Sequence, residues 1–258
     1  MTHPWFRGIT PPRVLAHRGL VMPEAAAEGI AENSFAAVAA AHSAGAPYVE
    51  SDCHLTADGV VVLFHDEDLS RVTGDPRRIA DVTLTELEQL MAERGGLITL
   101  QQALDAFPTV RFNLDVKAED AAVPVGTAVA PFADRVLVTS FSDDRRRRAL
   151  DAAAAKGGGI RPATSGGTRT IARVLAAVTA RSDRLVARAL AGVDALQVPE
   201  RRGRIRVVTP RLIAAAHRHD VEVHVWTVNA PDDMRRLIGM GVDGIVTDRA
   251  DIALDALS

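Results

Sequence analysis

"YVESDCHLTADGVVVLFHD", residues 48–66, places Glu50, Asp52 and His54 at alternate positions of a segment that otherwise reads as β-strand. Side chains along a strand alternate between its two faces, so these three polar groups share one face while Ser51, Cys53 and Leu55 take the other. "TADG" at 56–59 is a turn signal, and the apolar run "VVVLF" then delivers His65 and Asp66. A strand returning antiparallel across so short a turn brings His65 back opposite Glu50, because residues pair symmetrically about the turn. Charge gathered on one face of a strand that should pack a core points to a site.

Outward from this stretch, short β-branched runs alternate with longer Ala-rich amphipathic stretches, the pattern of parallel βα units. Strands are expected near 13–19, 47–53, 110–116, 135–141, 159–164, 194–199, 221–228 and 244–248. Helical segments lie between them. "SFAAVAAAHSAG" has Ser34 or Asn33 as N-cap and Gly45 as its stop, and "APDDMRRLIGMG" opens on Pro231 and two acids. Eight strands with helical connections predict an α/β fold, a (β/α)8 TIM barrel, with "VVVLF" as a surplus β-hairpin extension after strand 2. No Pro-, Gly- or Ser-rich linker divides the chain, so residues 1–258 read as a single domain.

Composition narrows the class. The 258 residues, 47% hydrophobic and 24% charged, can bury a large core. A formal net charge of -3 offers no overall positive field for a phosphate backbone, which argues against nucleic acid as an obligate partner. The one cysteine, Cys53, excludes an internal disulfide and fits a reducing compartment. "MTHPWFRGITPPR" shows neither a signal peptide nor a membrane span, so the expectation is a cytoplasmic protein without stable membrane insertion.

Function in such barrels gathers at the C-terminal ends of the strands. There the sequence places His17 and Arg18, then Glu50 and Asp52, His65 on the hairpin, Asp115 and Lys117, Trp226, and Asp248. Taken singly, each histidine suits a structural or surface role and the two acids suit a solvated face. Burying so many ionisable groups unpaired costs several kcal/mol each, on the order of the desolvation penalty, and joint placement at strand ends favours a site. Glu50, Asp52 and Asp115 suit a hard divalent cation, Mg²⁺ or Ca²⁺, with a histidine-bearing zinc site as the alternative. Arg18 and Lys117 either neutralise the acids or bind an anion, and Arg suits phosphate oxygens. Two histidines, a metal and an anion clamp make a kit for phosphodiester cleavage.

Other segments are weaker. "RRRR" at 145–148 points around a whole helix and reads as solvated surface. "PERRGRIR" at 199–206 is a basic loop on the same side as the site, either a plain loop or an attractor of anions. Trp226 packs either in the core or on a substrate's carbon skeleton. His54 either orients a carboxylate or faces solvent, and Cys53 points away from the acids.

"AHRG" at 16–19, "EN" at 32–33, "ESDCHLTADGVVVLFHDEDLSRVTG" at 50–74, and "VHVWTVN" with "GVDGIVTDRAD" within 223–251 together resemble the glycerophosphodiester phosphodiesterase family. The resemblance runs in order from about residue 13 to 252, and its combination of motifs is specific where any one is weak. It implies a barrel of the phospholipase C-like type and a divalent-metal hydrolase that cleaves glycerophosphodiesters to glycerol 3-phosphate and an alcohol. By the same resemblance, His17 and His65 match the acid/base histidines and Arg18 the phosphate-contacting arginine, while Glu50 and Asp52 match metal ligands. Asp115 stands in "NLDVK" where the family usually has a metal-binding Glu; Lys117 matches the lysine that follows, and Trp226 the aromatic of the WTVN block. The segment 67–100 is short beside the family's inserted subdomain and implies a more open site, unless "LVMPEAAAEGIAEN" covers the mouth. Two further readings stay open: a phosphodiesterase of lysophospholipids or phosphoinositol diesters, and a non-catalytic barrel that binds phosphorylated metabolites.

Overall fold

The computed structural model describes residues 3–157 and 159–258. Eleven strands are present among them: β1 Arg13–His17, β2 Tyr48–Leu55, β3 Val61–Leu63, β4 Arg111–Val116, β5 Val136–Thr139, β6 Ala163–Thr164, β7 Ala195–Pro199, β8 Arg201–Arg202, β9 Ile205–Arg206, β10 Glu222–Trp226 and β11 Gly244–Thr247. Eight of these pair in parallel in the order β6-β5-β4-β2-β1-β11-β10-β7. The ends of that path meet at a parallel bridge between Ser165 and Ala195, reinforced by Gly166 N–H donating to the Ala195 carbonyl at 3.2 Å. The sheet thus curls into the expected eight-stranded barrel with helices between its strands.

Period-2 alternation sorts each barrel strand into two environments. Val14, Ala16, Val49, Cys53, Phe112 and Leu114 face outward into the main core, where the surrounding helices bury them. Leu15, Tyr48, Leu137, Ala163, Ala195 and Val246 face inward and form an apolar layer low in the barrel. Trp5 and Phe6, on the short helical turn Pro4–Phe6, join this layer, and Trp5 Nε1–H donates to the Phe112 carbonyl at 3.1 Å. The N-terminal segment therefore contributes to the barrel floor. Two residues further along the same inward faces the chemistry changes from apolar to polar.

β3 pairs antiparallel with β2 as the expected hairpin, through Cys53↔Leu63, His54↔Val62 and Leu55↔Val61. The register differs by one residue from the symmetrical expectation. Extending it sets His65 level with Ser51, not Glu50, because the turn closes through Thr56 and Val60 (Thr56 N–H to Val60 O, 3.0 Å). Segment 67–99 packs Leu69, Ile79, Val82, Leu87 and Met91 against Val62 and Phe64 of the hairpin side in a small core of its own. The helix Phe35–Ser43 starts on Ser34, whose side chain accepts from Ala37 N–H. The "RRRR" run lies on the helix Asp143–Lys156, where Arg147 and Arg148 are exposed as expected. Arg146 is a correction: it is buried, and Nη1 donates to Thr164 Oγ1 at 3.1 Å, because its position on the helix faces the barrel wall.

Candidate active site

Strand register brings the site together. His17 on β1 is aligned with Glu50 on β2, Asp52 on β2 with Asp115 on β4, and Glu50 with Asn113. All of these, with Arg18, His65, Lys117 and Trp226, line one cavity of about 480 Å³ at the C-terminal end of the barrel. These candidates therefore open onto a single space, while Asp248, also placed at a strand end by the sequence, reaches it only through His17.

Turn geometry explains why HRG is suited to its place. Arg18 adopts φ +59° and Gly19 φ +88°, the left-handed region, so the chain turns sharply at the end of β1. A Cβ on Gly19 would lie 2.6 Å from the backbone of Ala37, so only glycine fits against that helix. The turn is held by Arg18 N–H donating to the Glu50 carbonyl at 2.8 Å and Asn33 N–H donating to the Arg18 carbonyl at 2.8 Å. Asn33 then spends its side chain on the acids' strand: Nδ2 donates to Asp52 Oδ2 at 3.0 Å, and Oδ1 accepts from Ser51 at 2.5 Å. This links the "EN" motif to the acidic strand.

The two histidines are built alike. His17 Nδ1 donates to Asp248 Oδ1 at 2.5 Å, and Asn229 Nδ2 steadies Asp248 Oδ2 at 2.7 Å. His65 Nδ1 bonds Asp66 Oδ1 at 2.6 Å, and Arg71 Nε holds Asp66 Oδ2 at 2.6 Å. An aspartate on Nδ1 fixes ring orientation and tautomer and leaves Nε2 for the cavity. Burial would lower His17, but the Asp248 bond and the Glu50 charge outweigh it and raise its affinity for a proton. The His17 bond lowers the Asp248 carboxyl, and burial only partly opposes this.

The carboxylates are deeply set: Glu50, Asp52 and Asp115 are 8%, 2% and 6% exposed. Burial, then the charge of Asp52, pushes Glu50 well above the usual carboxylate range. Burial also raises Asp115, whereas Lys117 and Arg18 overcome it at Asp52 and hold that carboxyl low. Lys117 Nζ lies between two of the acids, 2.9 Å from Asp52 Oδ1 and 2.7 Å from Asp115 Oδ2. Arg18 Nε is 3.3 Å from Asp52, and its Nη1 donates to Glu32 at 2.7 Å. As placed, no three His, Cys, Asp or Glu side chains among the described residues converge closely enough to hold a metal ion. The donor set nevertheless suits a hard cation. Three buried carboxylates outnumber the two side-chain cations beside them, and the buried Asp115 Oδ1 has no hydrogen-bond partner.

A profile of the glycerophosphoryl diester phosphodiesterase family matches residues 17–252, from the first histidine of the site to the last helix. The chain belongs to this family. It is a phosphoric diester hydrolase. A Mycobacterium tuberculosis protein named Probable glycerophosphodiester phosphodiesterase 2 is 35% identical over 246 residues, covering 94% of this chain and 89% of that protein. A solved glycerophosphodiester phosphodiesterase from Thermotoga maritima is 26% identical with a TM-score of 0.68, covering 94% of this chain and 96% of the other. A phosphodiesterase from Oleispira antarctica, solved with the product sn-glycerol-3-phosphate, shares the fold at 22% identity and a TM-score of 0.71, covering 95% and 96% of the two chains. No helix among this phosphodiesterase's described residues is long and apolar enough to cross a membrane.

Several contributors were not legible in the sequence. Asp66 lies in the hairpin motif and Asp248 among the strand-end groups, but nothing in the sequence says that they orient the histidines. Glu32 and Arg71 complete a chain from Arg18 to Asp66, with Arg71 Nη2 donating to Glu32 Oε1 at 2.6 Å. His54 is buried, and its Nε2–H donates to the His65 backbone carbonyl at 3.2 Å. Burial lowers its proton affinity, so it serves the hairpin as a neutral ring. Trp226 is half-buried and meets Phe141 edge-on at 5.9 Å along the cavity wall.

Proposed function

We propose that this phosphodiesterase hydrolyses glycerophosphodiesters to glycerol 3-phosphate and an alcohol, with His17 and His65 as base and acid and with a divalent cation, Mg²⁺ or Ca²⁺, held by Glu50, Asp52 and Asp115. The observation that carries the reading is the pair of histidines, each anchored by an aspartate on Nδ1, opening onto one carboxylate-lined cavity. When bound, the cation supplies Lewis-acid stabilisation of negative charge on the phosphoryl oxygens. Arg18 and Lys117 bind and orient the non-bridging oxygens. His17 takes the proton of the attacking oxygen at Nε2, and His65 delivers a proton to the leaving alkoxide. The attacking oxygen belongs either to water or to the substrate's glycerol 2-hydroxyl, the latter passing through a cyclic phosphate.

Phosphorus NMR of glycerophosphocholine turnover tests this. Glycerol 3-phosphate is expected with Mg²⁺ or Ca²⁺ and is lost in chelator; undiminished turnover in chelator would remove the metal from the scheme. A transient cyclic phosphate selects the intramolecular route. A second reading, turnover of lysophospholipids, is favoured by the apolar residues Phe141, Ile171, Leu175, Val207 and Trp226 that line the same cavity. A substrate panel that includes lysophosphatidylcholine separates the two.

A further inference from the structure

The cavity mouth carries a feature that the chemistry above does not use. "PERRGRIR" is not an irregular loop: β8 and β9 form a two-stranded hairpin, with Arg201 paired to Arg206 and Arg202 to Ile205. Gly203, at φ +59°, supplies the left-handed residue that a two-residue hairpin turn needs. All six residues 201–206 are exposed. Four of them are arginines, and among the described residues the guanidinium groups of Arg202, Arg204 and Arg206 meet no carboxylate. The acid next to them is already engaged, since Glu200 pairs with Arg236 at 2.8 Å. Four positive charges thus stand together on a chain whose formal net charge is -3.

Apolar groups accompany these charges. Ile205 is 69% exposed, and as the cross-strand partner of Arg202 it projects from the same face of the hairpin. Arg202 and the next apolar residue, Val207, line the cavity, as does Phe141 at 57% exposure. An exposed aliphatic beside unpaired arginines, with an exposed ring lining the cavity they border, is what an interfacial surface presents: the apolar groups enter the headgroup layer and the arginines meet anionic headgroups. A polyanion without an apolar phase, such as a nucleic acid, leaves Ile205 without a partner. Screening confines the field to about 8 Å at physiological salt, so an anionic surface senses the near hairpin more than the acidic remainder of the chain.

We propose that the hairpin Arg201–Arg206, with Ile205 at its edge, docks this phosphodiesterase peripherally on bilayers containing anionic phospholipid and turns the cavity mouth toward the membrane. Each arginine beside such a surface strengthens attachment about fivefold. Co-sedimentation with phosphatidylcholine–phosphatidylglycerol vesicles and with pure phosphatidylcholine vesicles tests it. The wild-type chain is expected in the pellet with the anionic vesicles only and to be released by salt. The double variant Arg204→Ser, Arg206→Ser is expected to bind roughly 25-fold more weakly, and Ile205→Ser several-fold more weakly. Neither variant touches the cavity, so both are expected to turn over water-soluble glycerophosphocholine like the wild type, which also reports that they fold. Failure of the wild type to pellet, unchanged binding by both variants, or equally tight binding to a DNA duplex at the same salt would each overturn the proposal.

Discussion

His17 Nδ1 lies 2.5 Å from Asp248 Oδ1, joining the last residue of β1 to the residue that follows its neighbour β11. The contact follows from parallel register, which aligns Ala16 with Thr247 and so sets the next residues side by side. Asp248→Asn keeps the shape but turns the acceptor into a group that can also donate, so the imidazole loses its enforced tautomer. Turnover of glycerophosphocholine is expected to fall by about two orders of magnitude, with KM changed little. A loss confined to KM would show that Asp248 positions substrate and not the histidine.

The second histidine depends on a longer chain, His65 to Asp66 to Arg71 to Glu32. Arg71→Met leaves Asp66 without its brace while removing no group from the cavity lining. A drop in kcat of roughly tenfold is expected, the scale seen when partners of site residues are lost. Arg71→Lys is expected to recover part of it in the same steady-state assay.

His54 donates to the carbonyl of His65 from within the hairpin. His54→Phe leaves that carbonyl unpaired and is expected to cost roughly 1–3 kcal/mol in urea unfolding. Because burial keeps His54 neutral, the pH profile of kcat/KM should retain the wild-type inflections. A displaced inflection would assign His54 to the proton transfers.

Lys117 pairs with Asp52 and Asp115, and those two acids in turn raise its proton affinity over the lowering effect of burial. Lys117→Met leaves both carboxylates without their nearest cation. In chelator, the thermal midpoint is expected to drop by several degrees, on the order of 3 kcal/mol for a broken buried pair. Mg²⁺ or Ca²⁺ is expected to raise the midpoint more in the variant than in the wild type, as calorimetry would show.

At the other end of the barrel, Arg13 makes a two-pronged pair with Glu222, both bonds 2.7 Å long. Although burial alone would raise Glu222, Arg13 and His224 bring it down to about 2. Its folded pKa lies below that of the unfolded chain, so the stabilisation is fully present above the ordinary glutamate range and is lost as pH falls toward about 2. Roughly 3 kcal/mol depends on it. Urea unfolding from neutral pH down to about pH 3 should therefore show a slope that Glu222→Gln largely removes.

Much of this molecule was legible in one dimension. Alternation and turn residues located all eight barrel strands and the hairpin after the second, because each barrel strand must bury one face under helices and the other inside the barrel. The same alternation put Glu50, Asp52 and His54 on one face, strand ends placed His17, Arg18, Asp115, Lys117 and Trp226, and the hairpin placed His65; of these, all but His54 line the cavity. Side-chain period and chain punctuation are local properties, and the sequence by itself determined what rests on them. Partnership is not local. That His17 answers to Asp248 and His65 to Arg71 through Asp66, that Arg146 is buried, that Trp5 helps to form the floor, and that the hairpin is offset by one residue were decided only when the barrel closed. Closure sets which strand ends lie side by side, and hydrogen bonds a few ångströms long depend on that placement, not on distance along the chain.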